Sequence, residues 1–476
     1  MIRINNQLNA ISIGNFKAVI LAFSAALTSI LLLHLSWYLV LLPVFIIPVI
    51  IYGERVFIFY AIISFLTLTS TISVELRTIV QVFFILILFY LFIKEYGLNF
   101  SAFPKVPKQV SVLILLLYLA MIISTIFSNY VLLGIKEIFR LTVFLIIVYM
   151  FYGFLSKSKN IKLFLWALFF TGLIYYASVF YKFAQNDFSL IELNISELLK
   201  VKDSYINVNG IGAFFIIITS ILLGYFFIYK GDKKRKYFAF FILIYLTGLV
   251  IANSRAAILS TIISSLIMLY FYNRKILYIL IAAALILVPF LFIQPFSNYI
   301  DIYFRVERLT SGRNWIWEIV LNIVKNNPIL GAGPAATKFE FYKYLPFMLG
   351  SPAEKYIALH IDQIEFGQAH SFYLFFLTDL GILGFFTSLF LPYVFINTGV
   401  KTIKKFKSSN TEFYWLSIAI TAAGIGLFVR GIFEWGNLIS YGTLEADLPF
   451  WLIFIILIYM YKIPNPDKKF AEFVRK

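Results

Sequence analysis

Apolar runs of about 20 residues, separated by short charged breaks, recur from residue 18 to residue 461. Nothing else in the sequence narrows the accessible folds so far. The hydrocarbon core of a bilayer is about 30 Å thick, so a spanning helix needs about 20 apolar residues. Backbone amides in lipid must find their partners within the protein, which leaves helices and closed barrels as the spanning structures. With 61% hydrophobic and 13% charged residues over 476 positions, and a mean hydropathy of +0.90, the chain has more apolar surface than a soluble core could cover. The expected fold is all-α: a polytopic transmembrane helical bundle forming a single membrane domain over residues 1–476. There is no internal repeat and no low-complexity linker.

Apolar windows between charged breaks predict about 12–14 spans, near 18–34, 38–52, 56–72, 78–93, 110–127, 141–155, 163–183, 210–229, 237–252, 256–272, 276–293, 371–397, 413–429 and 447–461. The first window could pass for a secretory signal, but another apolar window follows it directly, as in an uncleaved anchor. The basic breaks at 156–162, 230–236, 273–275 and 401–407 fall on one side when the spans alternate. Positive-inside asymmetry then puts those breaks and both termini in the cytoplasm of a multi-pass inner-membrane protein. A large extracytoplasmic loop, 294–369, contains amphipathic helical pattern.

Net charge is +17, and in such a chain it reflects topology and anionic lipid headgroups rather than nucleic acid. No cysteine is present, which removes disulfides, thiolate metal sites and cysteine nucleophiles. The acidic residues form no close cluster of the kind that holds a divalent cation, so neither metal nor cofactor is expected. Eight of 28 lysines fall outside on this topology, against seven of 12 arginines: Arg77, Arg140, Arg255, Arg305, Arg308, Arg313 and Arg430. Arginine's planar fork binds phosphate bidentately, so an outward excess of arginine suits a pyrophosphate site. The plainer reading is interface snorkelling or local ion pairs, such as Arg430 with Glu434 one turn later.

His370 stands where the long loop enters a span, in AHSFYLFFLTDLGILG. A cap at Ser371 would put its imidazole near a helix N-terminus, whose dipole disfavours the charged ring and leaves a general base available. Gly381 follows eleven residues later and Gly384 one further turn on, spacing that would stack both beneath the histidine on one face. Small residues there permit close approach of a helix or lipid chain. The alternative is ordinary helix packing beside an incidental histidine. Arg255 occupies a tip of three residues, Asn253-Ser254-Arg255, and a charge at membrane depth is a functional candidate. In 312–334, Ile316, Ile319, Val320 and Ile323 keep helical spacing after Arg313, with Pro328 and a flexible Gly331-Ala332-Gly333-Pro334 turn at the exit. That turn lacks the downstream Gly-Lys-Ser/Thr of a phosphate loop. Lys136 and Arg140 share a helical face, with Glu137 as a local partner.

These residues resemble the O-antigen ligase and O-antigen polymerase superfamily over about residues 210–400. His370-Ser371, nine residues, Gly381, two more and Gly384 fit its C-terminal signature without a gap. Asn253-Ser254-Arg255-Ala256-Ala257 is similar to its membrane-edge arginine motif, and Gly312-Arg313 with Trp317 to its outer-loop helix. His360 has no counterpart in that pattern. The resemblance implies a metal-independent, inverting glycosyltransferase acting on the outer face of the membrane. Its donor would be an undecaprenyl diphosphate-linked glycan, and its acceptor a lipid A core or growing polysaccharide. His370 and Arg255 would be catalytic, Arg140, Arg255 and Arg313 would bind the diphosphate, and Gly381 and Gly384 would pack near the site. The competing expectation is a lipid-linked oligosaccharide flippase, against which the lack of internal repeats speaks.

Overall fold

In the computed structural model of the chain, residues 53–67, 74–97, 100–185, 208–287, 313–344 and 368–464 are described, with isolated positions between them. The windows at 18–34 and 38–52 and the residues His34, Arg305, Arg308 and His360 lie outside the described residues. Fourteen α-helices are present among the described residues: α1 Glu54–Thr67, α2 Val74–Tyr96, α3 Lys108–Ile126, α4 Val131–Ser158, α5 Ile161–Gln185, α6 Val208–Ile228, α7 Arg235–Ile251, α8 Arg255–Tyr272, α9 Arg274–Leu287, α10 Arg313–Asn326, α11 Thr337–Tyr344, α12 Phe372–Phe406, α13 Thr411–Arg430 and α14 Leu444–Lys462. The extended structure described is a two-residue antiparallel pairing of Lys200–Val201 with Ser204–Tyr205. Each of the other twelve apolar windows coincides with one of these helices. Among the described residues, eight helices are long and apolar enough to cross a membrane.

The bundle is graded from centre to lipid. Helices α6 and α14 are the most enclosed, each with 78% of its most apolar stretch buried, whereas α2 has 22% buried and turns its remaining side chains outward. Helix α13 packs on α6, α8 and α12, and α12 in turn meets α3 and α14. Small residues permit these contacts. A Cβ on Gly426 would sit 2.9 Å from the Ser260 carbonyl of α8, and one on Gly224 3.0 Å from Ala419 of α13.

Helix α12 departs from the sequence reading. It is broken at Gly381, where φ is 64° and ψ is −156°, so it consists of a short upper piece and a long lower one. The expected three-turn stacking of Gly381 under His370 therefore does not continue through a regular helix. The chain segment following α10 causes the break. Ala332 N donates to Thr378 O at 2.8 Å, Gly333 N to Asp379 O at 2.9 Å, and Ile382 N to Pro328 O at 3.1 Å. Carbonyls and an amide freed by the break are thus paired by the loop, as buried backbone groups must be. The two glycines that favour close approach admit this loop: Cβ atoms on Gly331 and Gly381 would each meet the other strand's backbone within 2.5 Å. Gly384 sits inside the same bend, facing Leu380 and Phe376 of the upper piece. The 331–334 turn, read from sequence as a flexible exit, is buried.

Candidate active site

The segment between α13 and α14, residues 431–443, connects the functional candidates at one end of the bundle. Its backbone carbonyls do much of the work. Phe372 N, at the head of α12, donates to Gly431 O at 2.7 Å and Glu434 O at 3.1 Å. Gly436 O accepts from Arg430 Nη1 at 3.2 Å. Ser440 O and Tyr441 O accept from Arg140 Nη2 and Nε, both at 3.0 Å. Asp447 shapes this last turn by accepting from Ser440 N at 2.6 Å and from Gly442 N and Thr443 N at 3.2 Å each. Phe375 of α12 packs on both Trp435 and Tyr441, with ring centroids 5.4 and 5.1 Å away.

His370 lies at the junction of three elements. Ser371 caps α12 by accepting from Leu374 N, the cap expected from sequence. His370 itself has φ 44°, a left-handed conformation that non-glycine residues adopt infrequently. Helix α10 is fastened to the residue before His370, since Trp317 Nε1 donates to Ala369 O at 3.0 Å. Burial lowers the imidazole pKa from its usual 6.5; the Glu434 carboxylate raises it in opposition, and the Arg313 guanidinium lowers it further. The neutral ring is therefore favoured near pH 7, in the form that accepts a proton.

Arg313, opening α10, pairs with Glu434 at 2.5 Å, and both side chains are largely enclosed at 17% and 5% exposure. This differs from the sequence alternative, in which Glu434 would pair with Arg430. Arg430 is 2% exposed and gives its fork to carbonyls instead, with Nη2 donating to Asn209 O at 2.8 Å. The reason is positional. Arg430 is buried and bonded to backbone carbonyls, and Glu434, though within its electrostatic reach, bonds to Arg313 at the head of α10. Asn209 in turn accepts at Oδ1 from Ser254 Oγ at 3.0 Å, directly before Arg255 at the head of α8. Arg430 and the tip carrying Arg255 are thus joined through Asn209, while Glu434 pairs with Arg313 and lies within electrostatic reach of His370 and Arg430.

Arg140 stands on the other flank of the same segment. Besides its two carbonyl partners it pairs with Glu137 at 2.6 Å, and 41% of its side chain remains exposed. Lys136 is exposed. Arg77 lies within electrostatic reach of Glu445 at the start of α14. Glu434, Asn209, Ser254 and Tyr441 were not singled out as site residues by sequence. Asp379 was missed as well, although a carboxylate inside an apolar span is a visible signal. It is wholly buried and accepts from Ala335 N at 2.7 Å, Thr337 N at 3.1 Å, the Thr337 hydroxyl, and Tyr441 Oη at 2.9 Å.

Replacing Glu434 by Gln should separate its two effects. With the carboxylate gone, its upward pull on the His370 pKa disappears while burial and Arg313 still press downward. The acid limb of any His370-dependent activity is expected to move to lower pH, and Arg313 to be held less firmly. A pH–rate profile for Glu434→Gln that overlays the wild type would show that the carboxylate does not act on the imidazole.

Residues 238–389 match the family model described as O-antigen ligase. That stretch contains Arg255, Arg313, His370, Gly381 and Gly384, while Arg140 and the 431–443 segment fall outside it. A comparison with curated proteins gives no match. With the matched stretch carrying three of the four candidate polar residues, the match supports assigning the chain to the O-antigen ligase and polymerase superfamily.

Proposed function

We propose that the protein is a membrane glycosyltransferase that moves a glycan from an undecaprenyl diphosphate carrier to an acceptor hydroxyl on the outer face of the bacterial inner membrane. Membership of this superfamily implies a glycosyltransferase-like activity in polysaccharide biosynthesis. The observation that supports the finer reading is the enclosed Arg313–Glu434 pair within electrostatic reach of His370, whose burial favours the neutral ring.

In this reading Arg255 and Arg313, with Arg140 on the far flank, hold the diphosphate by charge-assisted hydrogen bonds. Their fixed positive charge stabilises the negative charge that develops on the leaving diphosphate. His370 accepts the proton of the acceptor hydroxyl as its oxygen attacks the anomeric carbon. The new glycosidic C–O bond forms as the bond from that carbon to the diphosphate oxygen breaks, with inversion. Glu434 keeps Arg313 in register and compensates the charge that His370 gains.

The test uses purified full-length protein in detergent, undecaprenyl diphosphate-linked glycan, candidate acceptors and EDTA. Release of undecaprenyl diphosphate coupled to a glycosylated acceptor of the matching mass is the expected result, undiminished by EDTA. A lipid A core product would make the enzyme a ligase, and a lengthened carrier-linked glycan a polymerase. Absence of release with every acceptor, with lipid-linked glycan crossing the bilayer of reconstituted vesicles, would replace the transferase reading by a flippase.

A further inference from the structure

The far end of the bundle, away from His370, holds a cleft that the transfer chemistry does not use. It forms where the turn between α8 and α9 meets the end of α12 and the start of α13, and it encloses about 390 Å³. Arg274, Lys404 and Lys407 line it together with Tyr270, Tyr272 and Tyr414. No carboxylate lines it. Among the described acids near this end, Asp232 accepts from Lys234 N at 2.8 Å and Glu412 from Tyr225 Oη at 3.4 Å. Three cations thus share one concavity whose lining, among the described residues, includes no carboxylate. Such an arrangement is self-repulsive unless an anion enters.

Aromatic rings stand beside the cations in the cleft wall. The Arg274 guanidinium lies 4.4 Å from the centroid of the Tyr270 ring, and Lys230 Nζ 5.7 Å from that of Tyr272. Rings beneath cations hold the charged ends at one level, as interfacial Tyr does beside a headgroup layer.

Helix α9 leads away from the cleft with few partners among the described residues. Leu277 is its one buried residue, while Ile279 is 66% exposed and Leu285 73% exposed. An apolar helix so bare in a membrane protein must be covered by hydrocarbon. A phosphate-sized anion in the cleft and hydrocarbon along α9 are the two parts of one kind of molecule.

We propose that this cleft binds an anionic phospholipid, its phosphodiester headgroup against Arg274, Lys404 and Lys407 and its acyl chains along α9. Basic pockets between transmembrane helices recognise anionic headgroups in this way. The site does not depend on the glycosyltransferase reading, because its residues lie at the opposite ends of α8 and α12 from Arg255 and His370.

Native mass spectrometry of the delipidated full-length protein, titrated with phosphatidylglycerol or phosphatidylcholine, tests the site. Wild type should retain phosphatidylglycerol in preference to phosphatidylcholine. The triple variant R274Q/K404Q/K407Q should lose phosphatidylglycerol binding by about tenfold or more, since each basic group near a membrane surface contributes to anionic-lipid attraction. A second triple variant, K233Q/K236Q/K401Q, removes equal charge at the same end but outside the cleft and should bind like wild type. Equal losses in both triples would overturn the proposal in favour of a diffuse basic surface. Displacement of phosphatidylglycerol by millimolar inorganic phosphate, with no need for acyl chains, would overturn the lipid assignment. Should the cleft triple fail to fold, K407Q alone takes its place, with a loss of about twofold expected and no loss counting against the site.

Discussion

His370→Asn is expected to slow glycan transfer by about 10²- to 10⁴-fold, the range typical for removal of a positioned general base. Asparagine is the informative replacement because position 370 has φ 44°, a conformation that Asn tolerates better than Ala does. The loss should therefore appear in the chemical step, with thermal stability in detergent close to wild type. Wild type should show a matching pH dependence. Burial holds the His370 pKa below 6.5, so the competent neutral ring is fully present above pH 6.5 and is lost as pH falls through the lowered value. The sign for stability is the same: the folded state binds this proton less readily than the unfolded chain, so stability is retained above pH 6.5 and declines as pH drops below it. Transfer by His370→Asn at more than a tenth of the wild-type rate, or a rate that rises toward acid pH in wild type, would remove the histidine from the mechanism.

Gly381→Ala is the second large effect, and it acts on the fold. The residue combines φ 64° with ψ −156°, a region populated almost only by glycine. A Cβ there would lie 2.1 Å from Ile329 O and 2.4 Å from its carbonyl carbon. Those atoms are backbone, held by the Ile382–Pro328 and Ala332–Thr378 hydrogen bonds, and cannot swing aside as a side chain would. Strain and collision together should destabilise the protein by more than about 3 kcal/mol. The variant should be recovered in low yield or as aggregate. Gly436→Ala is the control, since a Cβ there meets nothing within 4 Å, and it should stay within about 0.5 kcal/mol of wild type. A Gly381→Ala protein that unfolds within a degree or two of wild type would mean that the break in α12 is dispensable.

The helices were legible in the sequence because their signal is local. Every described apolar window became a helix, and Ile316, Ile319, Val320 and Ile323 became the buried face of α10 as their spacing requires. The Ser371 cap was legible for the same reason. What the sequence could not show was which distant groups would compete for a partner. Glu434 lies one turn from Arg430, and helical spacing pairs them; only the position of α10 gives Glu434 to Arg313. Gly381 illustrates a different limit. Its spacing from His370 marked it as important, but glycine in a membrane helix signals close approach without saying of what. Here the approaching group is a loop's backbone, and accepting it required breaking the helix.

The Asp379 cluster has a consequence for how the protein is made. Its carboxylate accepts from residues 335, 337 and 441, its carbonyl accepts from Ser124 Oγ at 2.7 Å, and Arg140 is held by the carbonyls of Ser440 and Tyr441. These partners are spread over more than 300 residues of chain, and translation delivers them in order at about 5–20 residues per second. Arg140 therefore leaves the ribosome well before the two carbonyls that will fix it. Until α14 is inserted and Asp447 has shaped the turn at 440–443, the earlier spans can form, but Arg140 lacks both of its carbonyl partners. A nascent chain arrested after residue 430 would hold Arg140 and Asp379 without their late partners, and assembly of the last span is the step that completes the cluster.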